Sequence, residues 1–351
     1  MKDNLKSLVD KLYDTHSLSR EEFIQLVENQ DPDIMDYAAS KARIIREHIY
    51  GQDVYIRGLI EISNYCKNDC LYCGIRCSNR AVARYRLTPE QIFGCCEQGH
   101  ALGFRTFVLQ GGEDAVFTDS VMSDLIRKIK LAFPDCAVTL SLGEKSEETY
   151  RAYREAGADR YLLRHETADP EHYAKLHPQK MSHAHRLACL RTLSRLGFQT
   201  GTGFMVGSPY QTAQNIADDL LLLKELQPAM VGIGPFIPHH ETPFTSQPGG
   251  TVEQTLFLIS LIRLTLPHAL IPATTALGTL DPAHGRQMGI LAGANVVMPN
   301  LSPADARNKY MIYENKNTST ETVEFLDNLC KEMQQIGYKV VVNRGDVVKN
   351  S

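Results

Sequence analysis

Val54-Tyr55-Ile56-Arg57-Gly58-Leu59-Ile60-Glu61-Ile62-Ser63 leads almost at once into Cys66-Lys67-Asn68-Asp69-Cys70-Leu71-Tyr72-Cys73. The first run has the apolar, β-branched character of a buried strand. The same pattern recurs downstream. Strands are expected at 54–63, 104–110, 137–142, 160–165, 199–206, 230–237, 270–276 and 295–298. Helices are expected between them, at 89–101, 119–132, 147–156, 182–196, 212–226, 252–266 and 283–292, with another near 321–336. Leu102-Gly103, Ala156-Gly157, Leu196-Gly197 and Ala292-Gly293 put glycine where a helix hands over to a strand. Alternation at roughly 30-residue spacing implies a parallel sheet closed as a complete (β/α)8 TIM-type barrel. An open doubly wound sheet is the alternative, but no G-x-G-x-x-G follows the first strand.

Residues 1–52 read as an N-terminal helical extension packed on the barrel, and 53–351 as the barrel with its C-terminal helix. Leu5, Leu8, Val9 and Leu12 recur at helical spacing, and Ser19-Arg20-Glu21-Glu22 fits a capping box. A second amphipathic helix is expected over 33–50, closed by Gly51. Residues 235–250, rich in Pro, Gly and His, read as a loop on the sixth strand.

The chain has 351 residues, 43% hydrophobic and 22% charged, with a net charge of −4. That is an ordinary soluble balance with no basic stripe for nucleic acid. No apolar run is long enough to span a bilayer, and Met1-Lys2-Asp3-Asn4-Leu5-Lys6 is no export signal. Nine cysteines without such a signal imply a reducing cytoplasm, and an odd count argues against a disulfide framework.

Cys66, Cys70 and Cys73 follow the first strand, so in a parallel barrel they lie at the catalytic face. Their C-x3-C-x2-C spacing suits three irons of a [4Fe–4S] cluster, leaving one iron open to a ligand. A structural zinc site would need a fourth ligand. Cys77 is near, but no second C-x2-C knuckle exists. Cys95, Cys96, Cys136, Cys189 and Cys330 lack useful spacing. His183, His185, His239 and His240 read as solvated rather than ligating.

On the fourth strand, Arg160, Arg164 and Glu166 share one parity. A buried parallel strand should be nearly all apolar, so these charges imply a polar lumen. They make either a salt-bridge network or a pocket for an anionic ligand read by Arg160 and Arg164. The cluster at the mouth of the same barrel favours the pocket. Thr139 and Ser141 on the third strand, Thr274 and Thr275 interrupting the seventh, and Met298 ending the eighth extend that space.

The cysteine spacing, with Tyr72 before the last thiol, resembles that of radical S-adenosylmethionine (SAM) enzymes. In these the open iron chelates the amino and carboxyl groups of SAM, and an electron from the cluster cleaves it to a 5′-deoxyadenosyl radical. Gln110-Gly111-Gly112-Glu113 resembles their GGE motif, whose backbone carbonyls accept from the SAM amino group.

Three longer strings are more specific. Tyr161-Leu162-Leu163-Arg164-His165-Glu166-Thr167, Val231-Gly232-Ile233-Gly234-Pro235-Phe236-Ile237-Pro238 and Ile271-Pro272-Ala273-Thr274-Thr275-Ala276 resemble HydE, the radical SAM maturases of [FeFe]-hydrogenase. The likeness extends from the N-terminal helices to Tyr313. It implies that Cys66, Cys70 and Cys73 hold the cluster. It places Tyr72, Gln110, Gly111, Gly112, Glu113, Ser141, Glu166, Arg186, Met298 and Tyr310 at SAM. Thr139, Arg160, Arg164, Thr274, Thr275 and Tyr313 would line the anion cavity. The implied substrate is a cysteine-bound iron–carbonyl–cyanide complex from HydG, with the product passing towards HydF. The electron donor would be a reduced ferredoxin or flavodoxin. The sister group is the methylornithine synthase PylB, a lysine mutase, which remains the rival function, ahead of an inert zinc protein. Some members carry three further C-terminal cysteines for an auxiliary cluster. Here 315–330 holds only Cys330, at a position that does not match, so one cluster is expected.

Overall fold

The computed structural model describes residues 2–316 and 322–348. Parallel strands Gly58–Ser63, Thr106–Gly111, Ala137–Ser141, Arg160–Leu162, Gln199–Thr202 and Met230–Val231 lie side by side in that order. A second sheet sets Val296–Val297, Asp53–Ile56 and Lys339–Val341 together, and Met205–Val206 pairs with Gly234–Pro235. Single parallel bridges join Met230 to Leu270, Pro272 to Val296, and Leu59 to Asn300. The opening stretch therefore changes partners at Arg57. Its first half pairs with Val296–Val297 and Lys339–Val341, and its second half with Thr106–Gly111.

The helices begin where their caps dictate. Ser19 with Glu22 and Thr88 with Gln91 form capping boxes, and Thr118 and Ser146 cap Asp119–Ala132 and Glu147–Glu155. The hand-over glycines adopt left-handed backbone, as at Gly157 (φ 108°) and Gly293 (φ 116°). Leu5, Leu12, Phe23 and Ile34 of the N-terminal helices join the same buried apolar cluster as Phe107, Leu140 and Val231 of the sheet. Arg46 is wholly buried at that seam, donating to Asp53 O (2.5 Å) and Ala294 O (3.4 Å).

Several elements differ from the sequence reading: helices Pro170–Leu176 and Ala304–Arg307 were not expected, and the strands expected at 199–206 and 230–237 are each split in two. The seventh strand is reduced to bridges at Leu270 and Pro272, and helix Thr275–Leu280 starts where the strand was expected to continue. Pro272 has no N–H to extend a ladder. Thr274 thus stands at a helix N-cap, and Thr275 opens that helix. Strand Lys339–Val341 was also not expected, although it lies in the β-branched run Val340-Val341-Val342; it pairs with Asp53–Ile56, far away in the sequence. Residue 321, at the expected start of the last helix, lies outside the described residues. So does 317–321 within the segment from which a single cluster is expected. Among the described residues no helix is long and apolar enough to cross a membrane.

Candidate active site

The cysteine loop leaves the C-terminal end of Gly58–Ser63 and lies against the turn after Thr106–Gly111. Glu113 N donates to Cys66 Sγ at 3.4 Å, and Lys67 N donates to Glu113 O at 3.0 Å. A Cβ at Gly112 would stand 2.2 Å from Tyr65 O and 2.7 Å from Cys66 Cβ, so only glycine allows this approach. The Glu113 carboxylate is engaged on both oxygens, by Lys67 Nζ (3.0 Å) and Glu144 N (3.0 Å). Glu113 therefore braces the loop with its side chain. On the far side, Gly74 N donates to Ile312 O at 2.9 Å, tying the loop to 310–316.

Burial pushes all three thiols up, Cys73 to about 12. They ionise only beside a strong positive charge, which a metal supplies. Four thiolates on one zinc would stand about 3.8 Å apart, given Zn–S bonds of ~2.3 Å. Among the described residues, the groups with ligand atoms within 4.8 Å of one another are His100/Asp135/Cys136 and His239/His240/Glu314. The triplet is in neither. Its thiols therefore do not converge on one ion, and three thiols held up by burial on one short loop are a donor set that fits a cluster.

Cys73 and Tyr72 open onto a cavity of about 290 Å³. Gln110, Thr139, Arg164, Glu166, Thr274, Thr275, Met298 and Tyr313 line it. Several of their polar atoms are buried without a hydrogen-bond partner among the described residues: Thr139 Oγ1, Thr274 Oγ1, Arg164 Nε and Nη2, and Glu166 Oε2. Arg164 Nη2 stands 3.4 Å from Glu166 Oε2, an ion pair without hydrogen-bond alignment. Buried polar atoms are almost always paired, so this set fits a polar, partly anionic ligand.

Of the remaining expected residues, Ser141, Tyr310 and Arg186 do not line this cavity. Ser141 neighbours Gln110 in register. Tyr310 is buried behind Gln110, whose Nε2 donates to its hydroxyl at 3.5 Å. Arg186 is buried, 2.8 Å from Glu144 Oε1. Arg160 does not join the cavity. It is fully buried at the opposite end of the strands, donating to Asp346 Oδ1 (2.6 Å), Arg344 O (2.9 Å), Gly345 O (3.1 Å) and Thr106 Oγ1 (2.9 Å). Its partners come from the C-terminal segment, so at Arg160 the salt-bridge network replaces the expected anion contact.

Three charged cavity residues escaped the sequence reading. Arg57 and Glu61 share the lumen parity of the first strand, and Lys316 follows the eighth. Arg57 Nε is buried without a hydrogen-bond partner among the described residues. Glu61 is paired with Lys316 in a very short contact, and its other oxygen accepts from Asn300 Nδ2 at 2.9 Å. Burial pushes the Glu61 carboxyl up and the Lys316 ammonium down, each opposed chiefly by the other's charge. The alternation used for the fourth strand applies equally to 57, 59 and 61 and could have found the first two.

The Radical SAM superfamily model matches residues 60–223, which spans the cysteine loop, the glycine turn and the strand bearing Arg164. The [FeFe] hydrogenase maturase subunit HydE of Thermotoga maritima is 46% identical over 304 residues, covering 85% of this chain and 86% of that one. The chain belongs to the HydE family of radical SAM proteins. A 3-methylornithine synthase of Methanosarcina barkeri is 30% identical over 308 residues, covering 86% of this chain and 85% of that one. The crystal structure of methylornithine synthase (PylB) superposes with a TM-score of 0.81 at 25% identity, covering 95% of this chain and 97% of that one. The methylornithine synthase thus shares the α/β fold with a parallel sheet seen here.

Proposed function

We propose that this chain is a HydE-type radical SAM maturase acting in assembly of the [FeFe]-hydrogenase cofactor. The observation that carries the reading is 46% identity over 85% of the chain to a HydE maturase, well above the 30% to a methylornithine synthase. Cys66, Cys70 and Cys73 hold one [4Fe–4S] cluster, without an auxiliary C-terminal one. When bound, cluster and SAM together supply a 5′-deoxyadenosyl radical at the top of the cavity.

The chain's own residues then position the reactants. The backbone of Gly111 and Gly112 and the Glu166 carboxylate receive the SAM amino group. Arg186 faces its carboxylate, and Tyr72, Gln110, Ser141, Met298 and Tyr310 complete the contact. Arg164, Thr139, Thr274, Thr275 and Tyr313 hold a cysteine-bound iron–carbonyl–cyanide substrate, whose anionic ligands suit a fixed guanidinium fork. The pairings from Gly58–Ser63 round to Val296–Val297, with the bridges at Leu270, Pro272 and Leu59, support closure into a complete (β/α)8 barrel that excludes water from this space. HydG supplies the substrate, HydF receives the product, and a reduced ferredoxin or flavodoxin supplies the electron.

The test is an in vitro hydrogenase maturation mixture lacking only its HydE component. The reconstituted chain should restore hydrogen evolution. Failure to do so, with methylornithine formed from lysine instead, would favour the mutase. Within the same assay the two arginines should separate. Arg164→Met should lower maturation by on the order of a hundredfold while SAM is still cleaved. Arg160→Met should spare turnover and lower stability. Equal loss of maturation in both would return Arg160 to the substrate pocket.

A further inference from the structure

Glu166 is one of few non-glycine residues with left-handed backbone (φ 68°). A side chain rarely holds that conformation unless its surroundings force it, and such residues cluster at ligand sites. The forcing contacts here are unusual. The residue before Glu166 and the second residue after it are both fixed by one carboxylate oxygen. Asp219 Oδ1 lies 3.2 Å from His165 Nε2 and accepts from Ala168 N at 2.6 Å. Asp219 and His165 are both fully buried. Thr202 Oγ1 accepts from His165 N at 3.1 Å and lies 2.9 Å from His165 Nδ1. A hydroxyl that accepts the backbone N–H keeps its own hydrogen for Nδ1, which leaves Nε2–H to donate to Asp219. Asp219 belongs to helix Ala213–Leu226, whose Asn215 also donates to Asp169 Oδ2 at 2.7 Å. That helix packs outside the sheet and touches none of the cavity.

We infer that Asp219, acting through His165 and Ala168, is a positioning residue that aims the Glu166 carboxylate at SAM from outside the active site. The inference rests on the reading of Glu166 as a SAM contact. The geometry behind it is a clamp: the His165 side chain and the Ala168 N–H share one oxygen, with the left-handed residue between them and its Oε2 in the cavity, 3.4 Å from Arg164 Nη2 and without a hydrogen bond among the described residues. Residue 166 is also held directly, its N–H donating to Gly203 O at 3.1 Å, so loss of the clamp would loosen the aim of its carboxylate rather than free the residue.

The reconstituted full-length holoenzyme is titrated with SAM, following the EPR signal of the reduced cluster for Kd, and 5′-deoxyadenosine formation for kcat. Asp219→Ala should weaken SAM binding by on the order of tenfold to a hundredfold, with kcat at saturating SAM within about twofold of the parent. Asp219→Asn should recover most of the affinity, since an amide oxygen accepts both N–H groups. Should Asp219→Ala fail to take up iron, Thr202→Val removes the other His165 anchor and should show the same split between Kd and kcat. Combined with Glu166→Gln, either variant should add far less than its separate effect, because both act on one contact. A purely structural role would lower Tm without moving Kd and would give additive double variants. If Glu166→Gln weakens SAM binding while Asp219→Ala and Thr202→Val bind as the parent does, the positioning role is overturned alone. If Glu166→Gln itself leaves Kd unchanged, the SAM-contact reading falls and takes this inference with it.

Discussion

Cys70→Ala is expected to abolish 5′-deoxyadenosine formation from SAM and to empty the chain of iron. In the proposed assignment each of the three thiols serves one corner of the cluster, and loss of the middle one leaves its iron without a thiolate. The Met181 thioether lies 3.8 Å from Cys70 Sγ, but it is an uncharged and poor iron ligand. The two remaining thiols are buried groups whose ionised form is stable only against the cluster's charge, so loss of the metal returns them to the protonated state. The change should therefore act on cluster content first and on activity as a consequence. The reconstituted parent should carry about four irons and four sulfides per chain. The Cys70 variant should lose nearly all of them and its brown colour. Cys77→Ala is the control. That thiol is exposed and its backbone N–H donates to Asn68 O at 2.9 Å, so its removal should change neither iron nor rate. SAM cleavage retained in the Cys70 variant would sink the assignment. Clearly more than four irons in the parent would sink the single-cluster reading.

The fold was largely legible because its signals are local. Caps at Ser19, Thr88 and Thr118 and the left-handed hand-over glycines lie within a few residues of what they control. The cysteine loop and the glycine turn were legible for the same reason, as short motifs on adjacent strands. Lumen polarity was half legible. Alternation along a strand says which face a side chain takes, and Arg160 and Arg164 do share a face. It does not say which end of the barrel a residue occupies. Arg160 sits four residues lower, two repeats of the pleat, where the tail residues Arg344, Gly345 and Asp346 arrive from more than 180 positions away. That partner is invisible to any local pattern. Arg57 and Glu61 were missed for the opposite reason. Their alternation is plain, but a charge on a strand that ends in a cysteine motif draws less notice than the motif.

Lys316→Met is expected to cost about 3–5 kcal/mol of stability, the usual penalty for leaving one member of a buried ion pair alone. Lys316 and Glu61 have side chains 4% and 0% exposed, so water cannot take over from the lost partner. Against a total of ~5–15 kcal/mol, a loss of that size is visible in any denaturant titration. Replacing both members should be gentler. In Glu61→Gln/Lys316→Met no charge remains to be solvated, and the amide keeps the hydrogen bond to Asn300 Nδ2. The double variant should recover most of the stability, and the difference between it and the sum of the single changes measures the coupling. The functional consequence follows from what Lys316 holds. Its Nζ also donates to Tyr310 O at 3.0 Å, so the pair fastens 310–316 to the first strand. That loop carries Ile312 and Tyr313 over the cavity, and Ile312 O receives Gly74 N from the cysteine loop. Loosening it admits water to a space where a carbon radical must meet only its substrate. Lys316→Met should thus cleave SAM at a rate near the parent's while yielding less matured hydrogenase per 5′-deoxyadenosine released. A stability loss below about 1 kcal/mol would show that the pair is no better than its solvated parts. Unchanged product per SAM cleaved would remove the loop's sealing role.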